Sequence, residues 1–166
     1  MKENKNFTSV TINCNTLTNE QIRQKNMGSI LKFYQHFRTN PEEFNKLWTD
    51  DCLLLFPMGL DETEVKLQGI KNLGHIFNDI NSLIGKYDWI IQEIICGEDP
   101  NVFVLRVYSD IDVDVDPSKS SRFRRMAYKG TYIHIFKFEN FKIKEWIEAI
   151  NSYVTAQNMG LGVFKE

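Results

Sequence analysis

The sequence predicts one α+β domain in which three N-terminal helices pack on a strongly curved, mixed or antiparallel sheet. Two patterns and the length support this fold class. Apolar residues recur at helical intervals in three segments before Gly85, whereas after it long strand-like segments alternate with turn residues. The chain has 166 residues, a length typical of one domain with one core. A bent sheet covered by helices encloses a pocket, so we expect a pocket inside the fold.

Three helices are predicted, each from its own start signal or apolar stripe. Thr18 and Gln21 have the spacing of a capping box, and the helical pattern that follows continues to about residue 37. Asn40 and the proline after it are a helix cap and a first-turn proline, which predict a short helix over residues 41–48. The third helix, over residues 69–84, has the most regular apolar stripe, and Gly85 ends it.

The strands are predicted from short apolar runs and from the turn residues between them. Two short strands precede the third helix, and four long strands follow it, joined by consecutive turns. Consecutive hairpins of this kind give an antiparallel meander. The predicted strands cover residues 52–56, 64–68, 87–96, 102–115, 122–138 and 141–151.

Composition and charge exclude several classes of function. The chain has twenty Lys and Arg residues and twenty-two Asp and Glu residues. The resulting net charge of -2 disfavours binding to nucleic acid or an anionic membrane. Neither a signal peptide nor a membrane-spanning segment is predicted, so we expect a cytoplasmic protein. Cys14, Cys52 and Cys96 are odd in number and widely spaced, which favours free thiols. Residues 1–17 are polar and predict a flexible N-terminal arm ahead of a single domain over residues 18–166.

His134 is the most informative of the three histidines. His36 and His75 lie on predicted helices, at a helix end and beside an apolar stripe, and are expected at the surface. His134 instead lies in a strand that is apolar on both faces. A histidine buried there needs a hydrogen-bond partner, which fits either a structural residue or a binding-site residue.

Glu148 is the strongest candidate for proton transfer. It lies among apolar residues near the end of the last strand, where removal from water would raise its pKa and suit it to acid or base catalysis. A second interpretation is that its strand face opens to water and that Lys144 pairs with it. The acidic residues that alternate along residues 110–116 predict a solvated strand face, since the spacing of a calcium loop is absent.

Several short motifs along the chain resemble one known family. The chain resembles the phenazine-biosynthesis PhzA/PhzB-like proteins, in the SnoaL-like group of the nuclear transport factor two-like superfamily. The resemblance covers residues 18–163. Its motifs are Arg23-Gln24-Lys25-Asn26, Trp48-Thr49-Asp50-Asp51, Gln68-Gly69, Asp99-Pro100-Asn101-Val102-Phe103, His134 with Phe136, Glu139-Asn140, Lys142-Ile143-Lys144, Glu148-Ala149-Ile150-Asn151 and Gly160-Leu161-Gly162-Val163.

The resemblance implies a conical barrel, a homodimer formed through the outer face of the sheet, and a deep pocket without a cofactor. It also implies that Glu148, in the family's Glu-x-x-Asn motif, is the acid or base that condenses two cyclic aminoketones. Ile76 and Ile80 stand where the family has a histidine and a serine on its third helix. Near the second helix this chain has Glu43-Phe44-Asn45 where the family has an arginine.

Three functions follow from these features. The first is a cofactor-free enzyme in which Glu148 moves a proton on a small cyclic carbonyl or aminoketone metabolite, as in phenazine-type secondary metabolism. The second is a binding protein for a hydrophobic small molecule, and the third is a dimeric module with an empty pocket. We expect a small-molecule ligand, no cofactor and no metal. The predicted ligand-binding residues are His134, Trp146, Asn151, Ile76, Ile80 and Trp89.

Overall fold

A computed structural model describes residues 17–37, 39–57, 64–75, 77, 89–114, 118 and 125–151. Within them lie three helical segments and six strands. The elements are α1 (Asn19–His36), α2 (Pro41–Lys46), β1 (Trp48–Phe56), β2 (Val65–Gln68), α3 (residues 70–75), β3 (Ile90–Cys96), β4 (Val102–Asp114), β5 (Arg125–Glu139) and β6 (Lys142–Ala149). Most of the predicted arm and the predicted third helix beyond Phe77 lie outside the described residues.

The six strands form one mixed sheet in the order β2-β1-β6-β5-β4-β3. β3 to β6 pair antiparallel with their sequence neighbours, which confirms the predicted meander. β1 pairs antiparallel with β2 but parallel with β6, so the N-terminal strand joins the C-terminal one. The sheet is open in the described residues, with β2 and β3 at its edges, and the conical barrel with its internal pocket stays a prediction.

The helices cover one face of the sheet, which we call the inner face; the opposite face is the outer face. Along β5 every second side chain from Tyr132 to Phe138 is buried on the inner face, while Ile133 is 38% exposed on the outer face. Phe33 of α1 lies at the centre of the core, fully buried. None of the described helices is long and apolar enough to cross a membrane.

The predicted start of α2 is confirmed, but its predicted end is wrong. The side chain of Asn40 accepts a hydrogen bond from the backbone of Glu43, and Pro41 occupies the first turn. The helix ends at Lys46 because the next residues join the sheet: the carbonyl of Leu47 accepts a hydrogen bond from Ile143, and Trp48 begins β1.

Three side chains in the first two-thirds of α1 fix the helix to two hairpin turns. Its capping box of Thr18 and Gln21 forms as predicted. Beyond it, Arg23 donates to the carbonyls of Gly97 and Glu98, and the buried Asn26 donates to the carbonyl of Pro100 and the side chain of Asn101, in the turn between β3 and β4. Ser29 donates to the carbonyl of Phe141 in the turn between β5 and β6. The motif Arg23-Gln24-Lys25-Asn26 therefore has a structural role: Arg23 and Asn26 hold α1 against the turn between β3 and β4.

Two turns use backbone conformations that are unusual for most residues. Asn140 and Phe141 both have positive φ, at 50° and 66°, which gives the two-residue turn between β5 and β6 the twist that antiparallel strands need. Gly69, at φ 86°, turns the chain from β2 into α3, and its amide donates to the carbonyl of Cys52. A residue with a side chain would be strained at this position.

Candidate active site

His134 and Glu148 are brought together by the pairing of β5 with β6. They are direct cross-strand partners, and both side chains lie on the inner face. His134 is fully buried and Glu148 is 8% exposed. Nε2 of His134 lies 3.6 Å from Oε2 of Glu148. Since the two residues are fourteen positions apart, the strand register creates this pair.

The imidazole of His134 is surrounded by aromatic rings and has one polar partner on its other side. Nδ1 lies 2.7 Å from the hydroxyl of Tyr34, on α1. The rings of Trp89 and Trp146 meet the imidazole edge to face at 5.0 and 5.1 Å, and the ring of Tyr34 stacks on it at 6.0 Å. Burial lowers the pKa of His134 to about 3, so the imidazole is uncharged at neutral pH. The predicted need for a hydrogen-bond partner is confirmed.

Glu148 is a buried carboxylic acid. Burial raises its pKa to about 8, because the charged form is poorly solvated there. Both members of the pair are therefore uncharged at neutral pH, and their contact is a neutral acid beside a neutral imidazole and not an ion pair. The buried position and raised pKa of Glu148 agree with the sequence prediction, and its catalytic role stays a prediction.

Lys144, the alternative partner suggested for Glu148, pairs with other carboxylates. Lys144 lies 2.5 Å from the carboxylate of Asp51 on β1 and 3.6 Å from that of Glu139. The register of β6 shifts at the bulge opposite residues 137 and 138, so the residues before and after it do not keep a simple alternation of faces. The interpretation that Lys144 pairs with Glu148 on an open face is therefore wrong.

Tyr34 is a site residue that sequence analysis did not identify. It lies within the apolar stripe of α1, where an aromatic residue is ordinarily read as part of the core. Burial, and to a smaller extent the carboxylate of Glu148, raises the pKa of Tyr34, so its hydroxyl stays protonated. A tyrosine on a buried helix face opposite a histidine-bearing strand was the available signal, since a buried phenol needs a hydrogen-bond partner.

Of the other predicted site residues, the structure describes Trp146, Trp89 and Asn151. Trp146 lies on the inner face of β6, two residues before Glu148. The ring centroids of Trp89 and Trp146 are 5.9 Å apart. Asn151 is exposed beyond the end of β6, and its role stays a prediction. Ile76 and Ile80 lie outside the described residues.

An open groove of about 530 Å³ lies elsewhere, between α2 and α3, and is lined by residues such as Asn45, Lys71 and His75. None of the predicted site residues that the structure describes lines it. His75 is exposed, as predicted. Within the described part of the chain, no group of three or more His, Cys, Asp or Glu side chains is arranged to hold a metal ion. Cys52 and Cys96 are free thiols, and Cys14 lies outside the described residues.

Comparison with known proteins shows the fold. No protein-family model matches the chain, and no curated protein is significantly similar to it in sequence. A phenazine biosynthesis-related protein from Pseudomonas aeruginosa is similar in structure, with a TM-score of 0.75 and 16% identity over 89% of this chain and 93% of that one. A putative isomerase from Bacillus subtilis has a TM-score of 0.66 and 15% identity over 90% and 100% of the two chains. A putative SnoaL-like polyketide cyclase from Shewanella putrefaciens has a TM-score of 0.64 and 10% identity over 82% and 96%.

These likenesses define the class of fold to which the chain belongs. It has the α+β fold of the nuclear transport factor two-like proteins, with helices on one face of a mixed sheet. At this level of fold, the resemblance to PhzA/PhzB-like and SnoaL-like proteins is confirmed.

Proposed function

We propose that this chain is a cofactor-free enzyme in which Glu148 is the acid that donates a proton to a small cyclic carbonyl or aminoketone metabolite. The reaction would be a condensation, dehydration or isomerisation, as in phenazine-type secondary metabolism. The observation that carries the proposal is a buried carboxyl group 3.6 Å from a buried imidazole, at a position where burial raises its pKa and favours the acid form. The similar phenazine-biosynthesis, isomerase and cyclase structures support the same class of chemistry.

Loss of water from an addition product needs such an acid. Glu148 gives its proton to the hydroxyl oxygen, the carbon–oxygen bond breaks, and water leaves while the adjacent nitrogen or carbon supplies the electron pair for the new double bond. The resulting carboxylate takes up the proton released from that nitrogen or carbon and returns to the acid form. No net proton is consumed, so one carboxyl group suffices for the cycle.

The pH dependence of turnover tests this role. With a panel of small cyclic ketones and aminoketones, any substrate that reacts should do so at a rate that is constant from about pH 6 to 7. The rate should fall tenfold per pH unit above about 8, because the acid form of Glu148 is lost there. The measurement is kcat/KM against pH. A rate that instead rises through pH 8 would identify a base in place of an acid and contradict the proposal.

The second function is a binding protein for a hydrophobic small molecule. It is favoured by the aromatic surroundings of the site, in which Trp89 and Trp146 flank the imidazole. Binding can be followed by the fluorescence of these tryptophans. A panel member that quenches the fluorescence and is recovered chemically unchanged would favour the binding protein over the enzyme.

We also propose a homodimer formed through the outer face of the sheet. Five apolar residues lie in register across five strands of this face: Leu55, Ile147, Ile135, Val104 and Ile95. Ion pairs border this row on both sides, Lys137 with Glu145 and Arg106 with Glu93. An apolar centre between polar borders is the composition of a protein interface, and the helices that the structure describes pack on the inner face.

Replacing Ile135 by Lys should separate the dimer. The change places two charges at the centre of a two-fold interface, and we expect the dimer to weaken by roughly 100-fold or more. Light scattering at micromolar concentration measures the result. Leu31→Lys is the matched control, since Leu31 is 54% exposed on α1, away from the outer face. A parent protein that is monomeric, or an Ile135→Lys variant that remains dimeric, would refute the proposed interface.

A further inference from the structure

We infer that Tyr34 is a positioning residue: its hydroxyl donates to Nδ1 of His134, fixes the imidazole with its hydrogen on Nε2, and so holds an N–H donor ready for the carboxylate of Glu148. This inference rests on the proposed function of Glu148 and deepens it, because it names the groups that stabilise Glu148 after it has given up its proton. Neither Tyr34 nor His134 needs to touch the ligand.

The direction of the first hydrogen bond follows from the surroundings of Tyr34. The phenol stays protonated because it is buried, and a buried hydroxyl hydrogen needs an acceptor. Within the described part of the chain, the hydrogen-bond partner of this hydroxyl is Nδ1 of His134, at 2.7 Å. Nδ1 therefore accepts, and a neutral imidazole that accepts at Nδ1 carries its hydrogen on Nε2.

The second contact is the functional one because it is not yet a hydrogen bond. Nε2 of His134 is buried without a hydrogen-bond partner among the described residues, and the facing oxygen of Glu148 is 3.6 Å away. A separation of this size exceeds the range of an N–H to oxygen hydrogen bond. When Glu148 loses its proton, the negative charge attracts the N–H, and a small shift completes the bond. An interaction that strengthens only as charge develops lowers the barrier instead of stabilising the resting state.

Few of the described titratable side chains compete for Glu148. The titratable side chains that face it in the described residues are His134 from β5 and Tyr34 from α1. The nearest lysine on its own strand, Lys144, is paired with Asp51. Without the N–H of His134, a carboxylate at this position would have no charge-stabilising partner among these groups.

The tautomer of His134 tests the inference without a substrate. In protein labelled with ¹⁵N-histidine, we expect His134 to carry its hydrogen on Nε2 from pH 5 to 8, with its signal assigned by its absence in the His134→Gln variant. Tyr34→Phe removes the hydroxyl and keeps the ring. In that variant, Nδ1 should gain a share of the hydrogen, and the pKa of Glu148, followed through ¹³C-labelled Glu, should rise by roughly one unit.

Tyr132→Phe is the matched control. It removes the same group from a ring 5.7 Å from the imidazole, but the hydroxyl of Tyr132 accepts from Ser109. We expect it to leave the tautomer of His134 unchanged. Hydrogen on Nδ1 in the parent protein, or equal shifts in both tyrosine variants, would overturn the inference. If the Nε2–H tautomer is found but Glu148→Gln turns over substrate as fast as the parent, the proposed function is refuted and the positioning role of Tyr34 stands.

Discussion

Glu148→Gln is expected to lower turnover of a substrate by roughly 10²–10⁴-fold while leaving its binding nearly unchanged. Glutamine keeps the size of the protonated glutamic acid and can still donate and accept hydrogen bonds, but it has no acidic proton to transfer. Steady-state kinetics with single-turnover analysis separates the two effects. Glu139→Gln, an exposed carboxylate on the adjacent strand β5, is the control and should stay within about twofold of the parent, since it lies far outside the buried pair.

The free energy of unfolding of Glu148→Gln should depend on pH differently from that of the parent, and measuring it also shows that the variant folds. In the folded protein the pKa of Glu148 is about 8, above its ordinary value of 4.5, so between these pH values the folded state holds a proton that the unfolded state has released. The stabilisation that comes from this proton is complete below about pH 4.5 and is lost as the pH rises to 8. Glu148→Gln has no such loss, so its stability relative to the parent should increase by about 2–4 kcal/mol from pH 5 to 8.

His134 contributes the opposite slope at lower pH, and both proteins share it. Its folded pKa of about 3 lies below the ordinary value of 6.5, so its contribution increases as the pH rises from 3 to 6.5. Subtracting the two stability curves removes this contribution. A difference between parent and Glu148→Gln that does not change with pH would mean that Glu148 is ionised in the folded protein, contrary to the proposed acid.

Phe33→Ala is expected to destabilise the protein by about 3–5 kcal/mol. The ring of Phe33 is fully buried and makes contacts with seven other aromatic rings. Among them are those of Trp89 and Trp146, which flank His134. Removing it leaves a cavity that rigid neighbouring rings cannot fill, so the lost contacts are not replaced. Urea unfolding measures the change as a lower midpoint with an unchanged slope.

Leu31→Ala is the control for Phe33→Ala on the same helix. Leu31 is 54% exposed, and its truncation should cost less than about 0.5 kcal/mol. If Phe33→Ala cost no more than Leu31→Ala, the aromatic cluster would not be the centre of the core. The position of Tyr34, one residue later, would then lack the support that the proposed hydrogen bond to His134 requires.

The sequence alone identified the features that depend only on residues close to one another along the chain. The capping box at Thr18 and the cap at Asn40 each specify a helix start through contacts three residues apart, and both form as predicted. The alternation of apolar residues and the turn residues between them specified the four antiparallel strands β3 to β6. Glu148 was recognisable because its apolar neighbours along the strand already indicate removal from water.

Tertiary structure decided the features that depend on distant parts of the chain. β1 begins at Trp48 because β6 pairs with it in parallel, and the polar residues that follow Trp48 conceal this strand from a pattern of apolar residues. Tyr34 meets His134 across one hundred residues of sequence, and Lys144 pairs with Asp51 across ninety-three. Local periodicity predicts which face a side chain occupies where a strand is regular, but bulges, strand register and helix docking determine which side chains meet. The pairing of Tyr34, His134 and Glu148 therefore arises only in the folded chain.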